Sequence, residues 1–417
     1  MAMTSLRSRR GRILGIASIA VGFLLLAWLG NAAADSIGNG SPNALAGPKG
    51  QQASPTTTPR SGKTPAVVAV SPVNLAVGVR PDAPITVRAS SGTLGAVKLM
   101  DSKGDQVQGQ AGSDGSWAAS ELLRPATSYT FAIAATGPDG MVTSISSTFR
   151  TLTPKVAATY ALIPSGGTVG VGMPVSIQFD SAVTTKASKA EVEKRVKVTT
   201  VPDQPGAWGW LDDRQLMWRP QKYWLAGTKV TVATPLHGVQ TGDGKWITED
   251  GGTSFTVGPS MVSSVDMRAH TLTVRRDGAV VRTFLVSTGK PGPLTETRSG
   301  VKVIIERDPV IVMDSATVGI PKGDPSYYKI STNWDLRLTW TGEFIHSAPW
   351  SVGAQGFQNV SHGCTNMAPA DALWMFNNSE VGDVVTFTGS SRVFKPTEGI
   401  GVWVYDYAGW MARSALS

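Results

Sequence analysis

Two stretches of this chain repeat each other, and the repeat constrains the fold more than any other feature. Residues 75–88, LAVGVRPDAPITVR, resemble residues 167–180, GTVGVGMPVSIQFD: a VGV turn, a proline, then alternating apolar positions. Later, LLRPATSYTFAIAATGPDGM (122–141) resembles WLAGTKVTVATPLHGVQTGDGK (224–245), and the units close on STFRT and TSFTV. The offset is roughly ninety residues, the size of an immunoglobulin-like sandwich. Ile85 with Val87, and Tyr129 with Phe131 and Ile133, alternate as strands with one buried face do. The 46 glycines and 26 prolines supply the frequent turns that short strands need. A mainly β chain is expected, with two immunoglobulin-like β-sandwiches at 65–152 and 155–257.

From Ser260 the character changes. The turn at Arg276-Asp277-Gly278 has Leu272 and Val274 before it and Val280, Val281 and Phe284 after it, which predicts a hairpin. Further strands are predicted around VKVIIER, VIVMD and LRLTWTGEFIHS, then a short helix at PADALWMFNNS and a strand at DVVTFTG. This third unit, 258–390, is expected to be mainly β with a small helical part. Read as one strand, LRLTWTGEFIH puts Leu336, Leu338, Trp340, Gly342, Phe344 and His346 on one face. Asp335, Arg337, Thr339, Thr341 and Glu343 fall on the other. The tail, 391–417, carries Trp403, Tyr405, Tyr407 and Trp410, so it is expected to pack back on the third unit.

The opening segment bears on the compartment. RSRRGR precedes an uncharged, mostly apolar run of 18 residues from Ile13 to Gly30. Basic residues before such a run mark the cytoplasmic side of a membrane. Residues 1–34 therefore read as a signal peptide or an N-terminal membrane anchor, with both readings open. Residues 35–64 hold almost no large apolar side chain and read as a flexible linker. The folded part is then expected in the extracytoplasmic cell envelope, membrane-anchored or secreted to the wall. The formal net charge is +8, half of it from Arg7, Arg9, Arg10 and Arg12, and no nucleic-acid signature accompanies it.

The chain has one cysteine, which excludes an internal disulfide framework and a cysteine-based zinc site. His237 and His270 lack metal-ligand spacing and read as surface or core residues. Trp208, Trp210, Trp218 and Trp224 read as sandwich core or interface before they read as a sugar platform. With no P-loop, dinucleotide fingerprint or EF-hand loop, neither metal nor cofactor is expected.

Cys364 sits in NVSHGCTNM (359–367), and His346 precedes it at the expected end of a core-facing strand. A cysteine nucleophile needs a base or a positive neighbour, usually imidazole. Gly363 lets the backbone turn sharply and substrate approach closely. Amides around such a turn are natural donors to the oxyanion of a tetrahedral intermediate.

His346, fourteen intervening residues, then Ser361-His362-Gly363-Cys364-Thr365-Asn366 resembles the signature of the L,D-transpeptidases. VSTGK, VIVMDS and HSAPWSVGAQG also look like that family. Linker, two sandwiches, catalytic domain and aromatic tail together resemble its actinobacterial envelope members. The resemblance implies that Cys364 is the nucleophile and His346 its proton acceptor and later donor. It implies that Ser347 orients His346 through its carbonyl, that Gly363 and Cys364 supply oxyanion amides, and that His362 belongs with this catalytic group. Tyr328, Thr341, Gly342, Trp350, Ser361 and Asn366 fall at substrate-binding positions. One residue departs from the pattern: Thr365 replaces the usual apolar residue.

The same resemblance implies two acyl transfers on peptidoglycan stem peptides, with neither ATP nor metal. Cys364 attacks a donor tetrapeptide at the carbonyl before its terminal D-Ala, which leaves. An amine of an acceptor stem then takes the acyl group in a 3→3 cross-link. β-Lactams of the carbapenem type are the expected inhibitors. A wall cysteine peptidase or carboxypeptidase, and a non-catalytic wall-binding scaffold, are the alternatives.

Overall fold

The computed structural model describes residues 63–417; the expected signal or anchor segment and residues 35–62 lie outside the described residues. The first sandwich pairs two sheets. One holds the strands Val67–Ser71, Thr86–Ser91, Trp117–Ala119 and Gly109–Ala111. The other runs Ala76–Val79, Val142–Thr151, Ser128–Thr136, Thr93–Asp101, Gln106–Val107. Val87, Tyr129, Phe131 and Ile133 meet Leu99, Trp117 and Phe149 between the sheets, so the period-two pattern marks the buried face.

The second sandwich faces the strands Tyr160–Ile163, Val175–Phe179, Gln215–Pro220 and Gly206–Trp210 against Thr168–Val169, Gly251–Val257, Lys229–Thr234 and Lys197–Val201. A helix, Lys186–Arg195, starts where Thr185 Oγ1 accepts from the Ser188 amide. Trp210, Trp218 and Trp224 are buried, and Trp218 stacks on Trp224 with centroids 5.2 Å apart.

The third unit also has two sheets. The first carries Ala279–Leu285, Thr271–Arg276, Met261–Asp266, Val384–Thr388 and Gly300–Val303 in that order. Asp277 (φ 50°) and Gly278 (φ 85°) make the left-handed turn that the Asp-Gly pair predicts. The second carries Glu306–Asp314, Lys329–Arg337, Phe344–Ser347 and Thr365–Met367, with the helix Pro369–Asn378 against it. Leu272, Val274, Phe284, Leu336, Ile345, Met367, Met375 and Phe387 fill the core.

One expectation fails here and another holds only in part. LRLTWTGEFIH is not one strand but a hairpin, in which Leu336 pairs with Ile345 and Arg337 with Phe344. Gly342 at φ 92° and Thr339 Oγ1, which accepts from the Glu343 amide at 2.9 Å, close the turn. Trp340 lies at its tip, 52% exposed, not on the His346 face. Both faces of the returning strand are buried, so a period of two carries no information there.

The tail meets its expectation in part. Its first half packs back on the third unit, where the Ser299 amide donates to Arg392 O at 2.7 Å and the Trp340 amide to Glu398 O at 2.8 Å. Its end lies across the second sandwich: Trp410 Nε1 donates to Ala207 O at 3.0 Å, and Arg413 Nε to Trp210 O at 2.7 Å. Buried Glu193 accepts from the Ala415 amide at 2.6 Å. Ile400 and Val402 reach Val303 and Ile305, so the tail joins the second sandwich to the third unit.

Candidate active site

His346 and Cys364 are brought together by a parallel pairing. After Phe344–Ser347 the chain leaves through a short 3-10 segment, Pro349–Ala354, and returns as Thr365–Met367 beside it. Ile345 pairs with Thr365 and His346 with Asn366, so Cys364 stands at the head of the strand next to the histidine. Asn366 pins the crossover, donating from Nδ2 to Ser351 Oγ at 3.0 Å. Trp350, 54% exposed, lies in that crossover with its ring centroid 6.0 Å from that of His346.

The imidazole is oriented by its neighbour. Its Nδ1 lies 2.8 Å from Ser347 O. A carbonyl only accepts, so Nδ1 carries the hydrogen and Nε2 keeps its lone pair. Burial pushes His346 down to about 4, against an opposing contribution from Ser347 O. Burial also pushes the Cys364 thiol up to about 12, with the Phe344 amide opposing and the charges of Glu343 and Asp335 adding to the rise. The thiol is 6% exposed and donates to Gly342 O at 3.5 Å. Both groups are therefore held neutral in this state.

The turn before the cysteine is stapled by Ser361. Its hydroxyl donates to Cys364 O at 2.6 Å and accepts from the Gly363 amide at 3.1 Å. Thr297 Oγ1 donates to Gly363 O at 2.9 Å. Gly363 has φ 134°, a conformation L side chains rarely adopt. Its amide, expected as an oxyanion donor, points at Ser361 in this state, which leaves the Cys364 amide as the nearer candidate. Thr365 Oγ1, where the family pattern has an apolar residue, is buried without a partner among the described residues.

A cavity of about 290 Å³ opens over the sulfur, lined by His346, Cys364, Tyr328, Trp350, His362, Ser361 and Asn366. The His362 ring packs against Tyr328 with centroids 5.0 Å apart. Burial, then the Lys290 charge, lowers the His362 pKa; burial, then Cys364, raises Tyr328 to about 12. Gly342 touches the sulfur through its carbonyl, whereas Thr341 sits exposed on the hairpin turn, its hydroxyl on Thr339 Oγ1 at 3.1 Å. Ser347 is buried, and its carbonyl is the group that meets His346 Nδ1.

Sequence reasoning missed part of the site. Met313, Ile330, Thr332 and Val360 complete the cavity wall. Behind the nucleophile, Glu343 accepts from Arg298 Nη1 at 2.8 Å and from Lys302 Nζ, and Arg298 Nε reaches Glu398 at 3.1 Å. Lys302 is fully buried over the Phe387 ring, and desolvation lowers its pKa while Glu343 opposes. Glu343 Cγ would lie 3.6 Å from a Cβ on Gly363, so the charge network supports the nucleophile's turn. Among the described residues, no group of three or more His, Cys, Asp or Glu side chains is placed to hold a metal.

Comparison with known proteins agrees with this geometry. A model of the L,D-transpeptidase catalytic domain matches residues 261–387, and a bacterial Ig domain model matches 76–240, running through both sandwiches. L,D-transpeptidase 2 of Mycobacterium tuberculosis (strain CDC 1551 / Oshkosh) is 37% identical over 343 residues, 82% of this chain and 83% of that protein. The chain belongs to the L,D-transpeptidase family. A second L,D-transpeptidase relative, number 5 of Mycobacterium tuberculosis (strain ATCC 25618 / H37Rv), is 34% identical over 353 residues, 83% of this chain and 76% of that protein. A solved L,D-transpeptidase in complex with imipenem is 33% identical and covers 56% of this chain and 100% of that chain, with a TM-score of 0.48. This L,D-transpeptidase is accordingly an acyltransferase with a mainly β fold.

Proposed function

We propose that this L,D-transpeptidase makes 3→3 cross-links in peptidoglycan, with Cys364 as acyl carrier and His346 as the proton shuttle. The observation that carries the reading is the oriented imidazole: Ser347 O fixes Nδ1–H, so Nε2 is the basic atom in a cavity shared with the only cysteine. A donor tetrapeptide carbonyl entering that cavity displaces water. Attack by sulfur then proceeds with transfer of the thiol proton to Nε2, because neither free ion is stable there beforehand.

The tetrahedral oxyanion is met by the Cys364 amide, joined by Gly363 once substrate draws that amide from Ser361. Collapse breaks the peptide bond, the Nε2 proton goes to the departing D-Ala amine, and a thioester remains. The side-chain amine of a second stem then attacks the thioester. His346 takes a proton from that amine, the new amide forms, and the sulfur leaves to be reprotonated. Trp350, Tyr328, His362 and Asn366 would hold the peptide chains. The uncleaved or cleaved N-terminal segment would place the enzyme outside the cytoplasm, where this substrate lies. Carbapenem-type β-lactams would acylate the same sulfur.

The test is mass spectrometry of disaccharide-tetrapeptides incubated with the purified protein and with Cys364→Ala. A dimer lacking one D-Ala, absent with Cys364→Ala, is the expected product. Monomeric tripeptide alone would indicate a carboxypeptidase, and no product at all would sink the enzymatic reading.

A further inference from the structure

Along Lys329–Arg337 the buried positions are Thr332 and then Asp335 and Leu336, so strict alternation breaks between them. The break has a backbone cause. Trp334 sits at φ 62°, the left-handed region that large L residues rarely occupy. Asn333 pairs with Val310 and Asp335 with Asp308, and the flipped residue between them turns Asp335 to the same side as Thr332. Thr332 Oγ1 then donates to Asp335 Oδ1 at 2.8 Å, with both side chains buried. Asp335 Oδ2 has no partner among the described residues.

Thr332 is also part of the catalytic cavity wall, in the company of Met313, Ile330 and Tyr328. A hydroxyl whose hydrogen is committed to a carboxylate presents only lone pairs to the cavity. Carboxylates sense each other and the sulfur here: Asp308 on the paired strand raises Asp335, Arg337 opposes, and Asp335 in turn raises Cys364. Burial is the largest cause of the Asp335 rise, to about 7. An acceptor backed by a carboxylate, in a wall otherwise uncharged, selects for a cation with N–H donors.

We propose that Thr332 and Asp335 form a subsite for the side-chain ammonium of a diamino acid in the stem peptide. This rests on the transpeptidase reading, in which both donor and acceptor carry such a group. The ammonium donates to Thr332 Oγ1 while Asp335 supplies the balancing charge. Such a subsite brings the amine into the cavity that holds the thioester, and it works best where Asp335 is ionised.

The test compares stem peptides with a free side-chain amine against the same peptides N-acetylated there, varied separately as donor and as acceptor analogue. Reading acyl-enzyme formation by intact mass isolates the donor. Equilibrium binding of each acceptor analogue to the protein without donor isolates the acceptor, because acetylation removes the nucleophile itself. Wild-type protein is expected to prefer the free amine by roughly tenfold in one of these arms, the size of one charge-assisted hydrogen bond. That preference should rise as pH passes through about 7. Thr332→Val and the near-isosteric Asp335→Asn should bring it close to unity, and Asp335→Asn should remove its pH step. A preference unchanged in both folded variants would overturn the subsite. Failure of wild-type protein to form any acyl-enzyme would instead overturn the transpeptidase reading beneath it.

Discussion

The two junctions of this molecule are built from opposite materials. Between the second sandwich and the catalytic domain runs one continuous apolar cluster: Val171, Met173, Trp218, Trp224 and Phe255 with Val303, Ile305 and Val384, closed by Ile400, Val402 and Trp410 of the tail. The backbones touch there. The Gly170 amide donates to Val381 O and the Gly172 amide to Gly382 O, each at 2.8 Å, and a Cβ on Gly170 would meet Asp383 N at 2.1 Å. Between the two sandwiches the joint is largely polar. Arg124 pairs with Glu249 at 3.3 Å and Asp250 at 3.1 Å, and Arg80 Nη2 donates to Gln240 at 3.0 Å. His237 bridges Asp250 and Leu122 O, at 2.7 and 2.8 Å. The contrast is one of degree: the second sandwich shares a core with the catalytic domain, while the first meets it through a joint richer in ion pairs and hydrogen bonds, with Leu122 as its apolar contact.

The largest expected effect comes from breaking the apolar junction. Trp410→Ala empties a fully buried position and should cost about 3–5 kcal/mol. Thermal unfolding should show the second sandwich and catalytic domain losing stability together. Separate transitions for the two in the wild type would break the comparison.

A pH series should sharpen it, because the junctions respond with opposite sign. Burial, helped by the Glu380 charge, raises Asp383 to about 7. Its folded value lies above its unfolded one, so its favourable contribution is full at acid pH and is lost as pH rises through about 7. Asp250 is lowered: burial works to raise it, but His237 and Arg124 prevail. Its contribution is full above the ordinary carboxylate range and fades as pH falls. Asp383→Asn should therefore raise the melting temperature by several degrees at pH 8 and hardly below pH 4. Equal shifts at both would refute the assignment.

The smallest effect belongs to the joint between the sandwiches. Arg124→Ala should cost about 1 kcal/mol or less, diminishing with added salt, because its partners are solvent-exposed. Small-angle scattering should record a broader range of extension with cross-linking activity retained. A loss of several kcal/mol would mean that the first sandwich is part of the same rigid unit.

Local signals made much of this legible. Strand alternation at Tyr129, Phe131 and Ile133, and the Asp277-Gly278 turn, depend on neighbours within a few residues. The motif around Cys364 was visible because its residues are contiguous, and the parallel pairing with His346 needs only one crossover. What escaped depends on distance or on an unusual backbone. Lys302 sits between two valines as an outward-facing residue would, yet it is buried against Glu343, 41 positions away. Asp335 faces inward only because Trp334 is left-handed, which side-chain type does not announce. The aromatic tail carried an apolar surface but no address, and its destination emerged only with the grooves it fills.

On the proposed mechanism, Cys364 carries the acyl group between two peptides. Intact-mass measurement of the protein with donor tetrapeptide alone, followed by peptide mapping, tests it most directly. A covalent adduct equal to the donor less D-Ala, located on Cys364, absent from Cys364→Ala and discharged by an amine acceptor, is expected. Cross-linked product formed without such an adduct, or an adduct on any other residue, would contradict it.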